Sequence, residues 1–491
     1  MNRIFFLFLT VALLASCESK NEHKPLVGSV HNIIPQPQKV NVNEGVIGFF
    51  TDGKIVVSGF DNLCESKSVV EEWLVSAGIK LEYSNLPGAS LSFHIDEEIV
   101  GEEAYSLAIA EDQIQISSAS PEGLFRGWTT LRLMIPVTGE TGGLGNGFFL
   151  PKVHIDDYAK FEHRGLLLDC CRHFMEPDFV KKMIDNLSLH KMNVLHWHLT
   201  EDQGWRVEID SYPKLTEIGA WRTELDGSTH GGFYTKETIK EIIEYAAKRH
   251  VEIIPEIEVP GHSQAALASY PWLGCTGDTL PVANKWGVFK DIYCPGNDST
   301  LRFLESVFDE VCELFPSDKI HIGGDEAPKV RWTSCDKCQA RIKEEGLADE
   351  NELQTWIIEY VGKYLESKGK TIIGWDEILE GGLPAGAVGG KSELMKLFSP
   401  EIPEPVMHAS TFSGNALTMS AGLPAMRAFD EKECIRINDL AEKLRTGFNQ
   451  AFSQAKILGN ANGIGSLTNI NFSNKPLNDS RDFMDGLYAS K

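Results

Sequence analysis

Lys319-Ile320-His321-Ile322-Gly323-Gly324-Asp325-Glu326 is the stretch on which the reading of this chain turns. A β-branched run gives way to two glycines and then to two adjacent carboxylates. On a regular strand, neighbouring side chains point to opposite faces, so both acids can serve one ligand only where the strand has ended. The glycine pair supplies that break. At the C-terminal mouth of a parallel barrel strand, such a pair faces the active site. Standing alone, Asp-Glu would be a solvated loop; its surroundings argue otherwise.

Outward from this point the chain repeats strand, loop and helix. Apolar strands read at residues 166–168, 194–199, 251–257, 320–322 and 371–375. Amphipathic helices fall between them, carrying Phe179, Met183, Ile184 and Leu187, then Ile239, Ile242, Ile243, Ala246 and Ala247. Later ones carry Leu304, Val307, Phe308 and Val311, then Leu353, Trp356, Ile357, Tyr360 and Val361. Continuous apolar strands alternating with helices predict a parallel sheet covered on both faces. A series of such units favours a (β/α) barrel. Upstream, residues 30–160 read as a small α+β domain, with a hairpin across 104–116 and a helix across 123–135.

Bulk properties exclude several classes. The 491 residues are 42% hydrophobic and 24% charged, an ordinary globular composition. Asp and Glu outnumber Lys and Arg by 70 to 46, a formal charge of −24, which argues against nucleic acid as a partner. Residues 1–17 have a basic start, a short apolar core and the ending Leu14-Ala15-Ser16-Cys17. This is too short to span a bilayer and reads as an export signal. Its end resembles a bacterial lipobox, which implies lipidation of Cys17, a tether over 18–29, and a protein anchored through lipid at the cell envelope, on the periplasmic or outer-membrane face.

Ten cysteines in a chain of this length do not make a disulfide scaffold. Cys335-x-x-Cys338 invites a zinc reading, but no second such pair or clustered histidine in the sequence completes four ligands. A local pair of thiols or a disulfide is the expectation, and no metal is assigned.

Each strand is followed by polar and aromatic residues. The first block is His163-Arg164-Gly165-Leu166-Leu167-Leu168-Asp169, leading to Arg172-His173-Phe174. The second runs His196-Trp197-His198-Leu199-Thr200-Glu201-Asp202-Gln203-Gly204-Trp205-Arg206, and the third Pro255-Glu256-Ile257-Glu258-Val259-Pro260-Gly261-His262. After the fourth come Asp325 and Glu326, and after the fifth Trp375-Asp376-Glu377. Carboxylates, imidazoles and indoles on one rim suit a carbohydrate, whose apolar faces stack on aromatics while charged groups bind its hydroxyls.

Taken in order, these blocks resemble glycoside hydrolase family 20, the β-N-acetylhexosaminidases, over residues of about 30 to 380. The resemblance implies exo-acting removal of terminal N-acetyl-β-D-glucosamine or galactosamine from oligosaccharides or glycoconjugates, with no cofactor. It implies that Glu326 is the general acid and that Asp325 holds the substrate's 2-acetamido N–H while the acetamido oxygen attacks C1. His262 and Asp202 would form a relay behind Glu326. Arg164 would bind sugar hydroxyls, and Trp375 would line the acetamide pocket. Glu201 and Glu258 read as supporting residues, and His196 and His198 as packing on a shared strand face.

Past residue 382 that resemblance ends. The expected architecture is therefore an incomplete TIM (β/α)8-type barrel over 161–382, with its first five strands. Residues 383–491 resemble part of a glutamate-1-semialdehyde aminomutase, a class III aminotransferase, through Gly381–Gly390, Ser410–Asn415 and Gly463–Ser466. The lysine that family places before its glycine run is replaced here by Glu377, which removes the pyridoxal phosphate attachment. A chimera is implied, and with it an alternative to hydrolysis, a catalytically dead or glycan-binding lipoprotein.

Overall fold

The computed structural model describes residues 26–49, 54–84, 89–111, 113–135, 148–375, 431–457, 459–463 and 469–471. Five parallel strands form the sheet that carries the site: Gly165–Asp169, Val194–His198, Glu252–Glu256, Lys319–His321 and Thr371–Ile373. They lie side by side in chain order. Parallel neighbours need a crossover, and helices Pro177–Leu189, Lys236–Ala247, Asp298–Leu314 and Glu350–Ser367 provide it. Side-chain oxygens start three of them: Thr235 accepts from the Thr238 N–H, Asn297 from Ser299, and Asp349 from Asn351 and Glu352. Each helix turns an apolar stripe inward, for example Leu304, Val307, Phe308 and Val311, all essentially buried.

The register sets the level of the chemistry. His198 lies opposite both Asp169 and Glu256, Glu256 opposite His321, and His321 opposite Ile373. The C-terminal ends of all five strands therefore share one rim, and the residues just beyond them face a common space. Among the described residues the first and fifth strands pair on one side only. On the first, Leu166 and Leu167 are each 37% exposed.

The preceding domain is an eight-stranded mixed sheet with helices Lys67–Ser76 and Pro121–Met134. Its hairpin, Tyr105–Ala110 with Gln113–Ser118, closes at Ala110 opposite Gln113, and its core is one apolar cluster that includes Trp128, Phe93 and Phe148. This domain meets the barrel at the N-terminal ends of the strands. Buried Lys191 donates to the Tyr105 hydroxyl at 2.7 Å and to Asp157 at 2.8 Å, and Arg126 donates to the His250 carbonyl at 3.0 Å. The face that packs on this domain is thus opposite the face that bears the site.

A second unit contains helix Glu431–Ala455 and the antiparallel pair Asn460–Asn462 with Asn469–Asn471. Asn449 exchanges two hydrogen bonds with the backbone of Ala461, at 2.8 and 2.7 Å. The leader with Cys17, most of the 18–29 tether, the glycine run Gly381–Gly390 and the block Ser410–Asn415 lie outside the described residues. Within the described residues no helix is long and apolar enough to cross a membrane.

Candidate active site

His262 is the node of the site. Its loop leaves the third strand and stays beside the fourth, with the Ile257 N–H on the His321 carbonyl and the Val259 N–H on the Ile322 carbonyl, both at 2.9 Å. The imidazole is buried. Its Nδ1 lies 2.7 Å from Glu201 and 3.3 Å from Asp202; its Nε2 lies 3.5 Å from Glu326 and 3.7 Å from Asp325. His262 and Glu326 both take positive φ, 50° and 45°. Non-glycine residues rarely hold that conformation, and it clusters at functional positions. Asp325 keeps one carboxylate oxygen, Oδ1, buried without a hydrogen bond, while the Glu326 side chain is 48% exposed.

Buried charges of both signs interlock behind this pair. Burial would raise the Glu201 carboxyl, but its contacts with His198 and His262 outweigh that and hold it down to about 2. Asp202 is pushed up to about 6, by burial first and then by the charge of Glu201. Burial also works against the His262 cation, yet hydrogen bonds to Asp202, Asp325 and Glu201 keep it protonated well above the usual imidazole range. Glu258 goes the other way. Complete burial, with the charges of Glu256 and Glu201 nearby, pushes its carboxyl well above the ordinary carboxylate range.

Glu256 is a second node, fully buried at the end of the third strand. One oxygen lies 2.8 Å from His196 and 3.1 Å from His198; the other lies 2.9 Å from His321 and accepts the Trp375 indole N–H at 3.0 Å. Burial opposes its charge, but the surrounding imidazoles, His198 foremost, hold it far below the ordinary carboxylate range. Trp375 is further fixed by its backbone N–H on the Gly323 carbonyl at 2.9 Å and by an edge-on contact with His321, ring centres 4.9 Å apart. Part of the indole, 37% of the residue, remains open to solvent.

Asp325, Glu326, His262, Asp202 and Trp375 thus stand together. Arg164 does not join them. It precedes the first strand, so it lies at the opposite end of the sheet, on the N-terminal domain. Its guanidinium is spent on Glu103 and on the carbonyls of Lys191, at 2.7 Å, and Phe161, at 2.6 Å. The arginine on the site's rim is Arg172, beyond the strand's C-terminal end, paired with Asp169 at 3.1 Å and with Glu201 at 3.0 Å. Position relative to the strand is the signal that separates the two, because residues before a barrel strand and residues after it reach opposite faces. Glu201 likewise stands closer to His262 than Asp202 does. The hub at Glu256 forms only once three strands are paired, so no local spacing marks it. The CxxC thiols are not an isolated pair either, since Cys275 and Cys294 join them.

Two sequence profiles match the chain. Glycosyl hydrolase family 20, catalytic domain, covers residues 161–396, and Glycosyl hydrolase family 20, domain 2, covers 30–158. The fold and the rim define a glycoside hydrolase architecture, and the chain belongs to glycosyl hydrolase family 20. The catalytic match runs past residue 382, where the reading of the sequence alone ended the resemblance.

A beta-hexosaminidase of Porphyromonas gingivalis is 43% identical over 366 residues, 72% of this chain and 46% of that protein. A beta-hexosaminidase of Vibrio furnissii is 41% identical over 290 residues, 57% of this chain and 46% of that protein. The chain therefore spans about half the length of these curated relatives. Among solved structures, a beta-N-acetylhexosaminidase from Bacteroides fragilis superposes with a TM-score of 0.62 at 37% identity, over 71% of this chain and 67% of its own. The Vibrio harveyi exo beta-N-acetylglucosaminidase in complex with N-acetylglucosamine gives 0.64 at 33% identity, over 72% and 56%.

Proposed function

We propose that this chain is an exo-acting β-N-acetylhexosaminidase that removes terminal, non-reducing N-acetyl-β-D-glucosamine or galactosamine with retention of configuration. The carrying observation is the Asp325 oxygen that is buried and has no hydrogen bond, next to Glu326 at the mouth of the fourth strand. A buried acceptor without a donor is costly. The N–H of a 2-acetamido group would satisfy it and turn the acetamido oxygen toward C1. That oxygen attacks C1, the glycosidic C–O bond breaks, and Glu326 gives its proton to the departing oxygen. A cyclic oxazolinium forms; water then opens it at C1, losing a proton to the Glu326 carboxylate. His262, held cationic by Glu201 and Asp202, stabilises the Asp325 carboxylate and, once its proton has left, that of Glu326. Arg172 would take the sugar hydroxyls, and the exposed part of Trp375 would flank the acetamide. The beta-hexosaminidase relatives and the N-acetylglucosamine bound to the Vibrio harveyi structure support this substrate class.

A second reading rests on the open edges of the arc. Exposed Leu166 and Leu167 mark a wall that a closed barrel would cover. A chain of this kind would bind glycans without turning them over. We further propose that Cys17 is lipidated and tethers the protein to the cell envelope, and that the chain beyond the catalytic match, residues 397–491, derives from an aminomutase.

Release of nitrophenol from an aryl N-acetyl-β-D-glucosaminide by residues 18–491, with Asp325→Asn as control, tests the hydrolase reading. Turnover lost in the control supports it. Folded protein that binds N-acetylglucosamine without turnover supports the second reading instead.

A further inference from the structure

Four thiols converge beside the site from three places in the chain. Cys335 caps the start of helix Asp336–Glu345, and Cys338 lies one turn inside it. Cys275 follows the short turn Pro271–Leu273, and Cys294 precedes helix Asp298–Leu314. Cys294 Sγ lies 3.5 Å from Cys338 and 3.8 Å from Cys335, and Cys275 Sγ lies 3.7 Å from Cys338. All four sulfurs fall within 4.8 Å of one another.

Those separations discriminate between chemistries. A disulfide brings two sulfurs to about 2.05 Å and singles out one partner for each. Here all four cysteines are free, and Cys294 and Cys338 each have two sulfur neighbours at nearly equal range. Four thiolates around one ion at a Zn–S distance of about 2.3 Å stand about 3.8 Å apart along each tetrahedral edge. The separations of 3.5, 3.7 and 3.8 Å match that edge.

The surroundings are those of a closed site. Cys294, Cys335 and Cys338 are buried in an apolar cluster with Ile292, Trp332 and Leu353. Gly296 lets its loop press onto the CxxC turn: a Cβ there would stand 2.2 Å from the Lys337 carbonyl carbon and 2.4 Å from the Cys338 nitrogen. The Trp332 indole N–H donates to the Tyr293 carbonyl at 2.9 Å, and Arg331 pairs with Asp291 at 2.7 Å, so the two segments are braced around the thiols.

We propose that Cys275, Cys294, Cys335 and Cys338 hold a structural Zn2+ ion that fastens the loop after the third strand to the loop after the fourth. An all-sulfur tetrahedral set selects zinc or iron among common divalent ions, and zinc is the one that needs no redox partner. The fastening has a consequence for the site. The Tyr293 N–H bonds the Pro260 carbonyl at 3.2 Å, two residues from His262, and Ala327, next to Glu326, packs in the same apolar cluster as the thiols. The ion would therefore set the distance between His262 and Glu326. The metal site itself stands whether or not Glu326 is an acid catalyst.

Elemental analysis of the full chain, purified without added metal or chelator, is the test. About one zinc per chain is expected, with thiols that react with Ellman's reagent only after the metal is stripped from unfolded protein. Exchange with Co2+ should give the intense visible and thiolate charge-transfer bands of a tetrahedral four-sulfur site, a readout independent of catalysis. Cys338→Ser and Cys275→Ser should each lose the zinc; if neither folds, the cobalt spectrum of the unaltered chain decides. Folded protein without metal overturns the proposal, whether its four thiols react freely or its mass shows the loss of two hydrogens per disulfide. Stoichiometric iron with a red thiolate spectrum overturns the assignment to zinc.

Discussion

Gly323 and Glu258 occupy space that admits only one side chain. A Cβ on Gly323 would stand 1.6 Å from the Glu258 carboxyl oxygen, and Gly323 sits at φ +66°. The glycine before the acid pair therefore has two separate reasons to be glycine, one steric and one conformational. Gly323→Ala should destabilise the protein by about 1–3 kcal/mol, since it holds a non-glycine residue at positive φ and displaces a buried carboxyl. Chemical denaturation of Gly323→Ala, Glu258→Ser and the double variant measures this. The double variant should recover about 1 kcal/mol or more of coupling, and purely additive losses would show that backbone strain alone is responsible.

Asp325 and Glu326 should fail in different ways. Glu326→Gln removes the proton donor, so hydrolysis should fall by about a hundredfold to ten-thousandfold, and less with an aryl leaving group that needs little protonation. Asp325→Asn leaves the proton donor in place but weakens the hold on the acetamide, with a loss of about a hundredfold to a thousandfold on every leaving group. Rates across a series of aryl glycosides separate the two. Equal dependence on leaving group in both variants would contradict the assignment.

The two arginines on either side of the first strand should separate stability from catalysis. Arg164→Ala breaks contacts with Glu103 and with two carbonyls at the domain junction. It should cost about 1–3 kcal/mol with turnover per folded molecule unchanged. Arg172→Lys keeps a charge near Glu201 but loses the planar fork, and kcat/KM should fall at least about tenfold. A thermal melt and a kinetic run on each protein suffice. Lost turnover in Arg164→Ala would place that arginine at the site after all.

Acid stability should depend on Glu201. In the folded protein its carboxyl stays ionised down to about 2, whereas in the unfolded chain it protonates near an ordinary glutamate value of about 4.3. Between those values the unfolded state binds the extra proton, so stability falls as pH falls through that window. The buried carboxylate, with a side chain 1% exposed, should contribute on the order of 3 kcal/mol above the window. Glu201→Gln should flatten the dependence of the denaturation midpoint on pH between about 4.3 and 2. An unchanged slope would mean that His198 and His262 take their support elsewhere.

Much of the fold was legible because its signals are local. The apolar runs at 166–168 and 194–199 became the strands Gly165–Asp169 and Val194–His198, with boundaries shifted by about one residue at an end. The hairpin at 104–116 and the helix at 123–135 were equally plain, since a two-residue or a 3.6-residue period is written in neighbouring positions. The helix Pro177–Leu189 shows the limit: Phe179, one of its apolar residues, is 40% exposed, while Val180 is buried in its place. Periodicity finds a face without fixing its centre.

By itself the sequence determined the strand-and-helix alternation, the break at Gly323-Gly324 and the placement of two acids just past a strand, because each depends on residues adjacent in the chain. Tertiary structure alone decided three other matters. It sent Arg164 to the domain junction and left Arg172 on the rim, since residues before and after one strand stand at opposite ends of the sheet. It put Glu201 nearer than Asp202 to His262, a difference of 0.6 Å that no spacing encodes. It also brought Cys275 and Cys294 to the CxxC turn, because chain separation says nothing about distance once two loops cross the same rim.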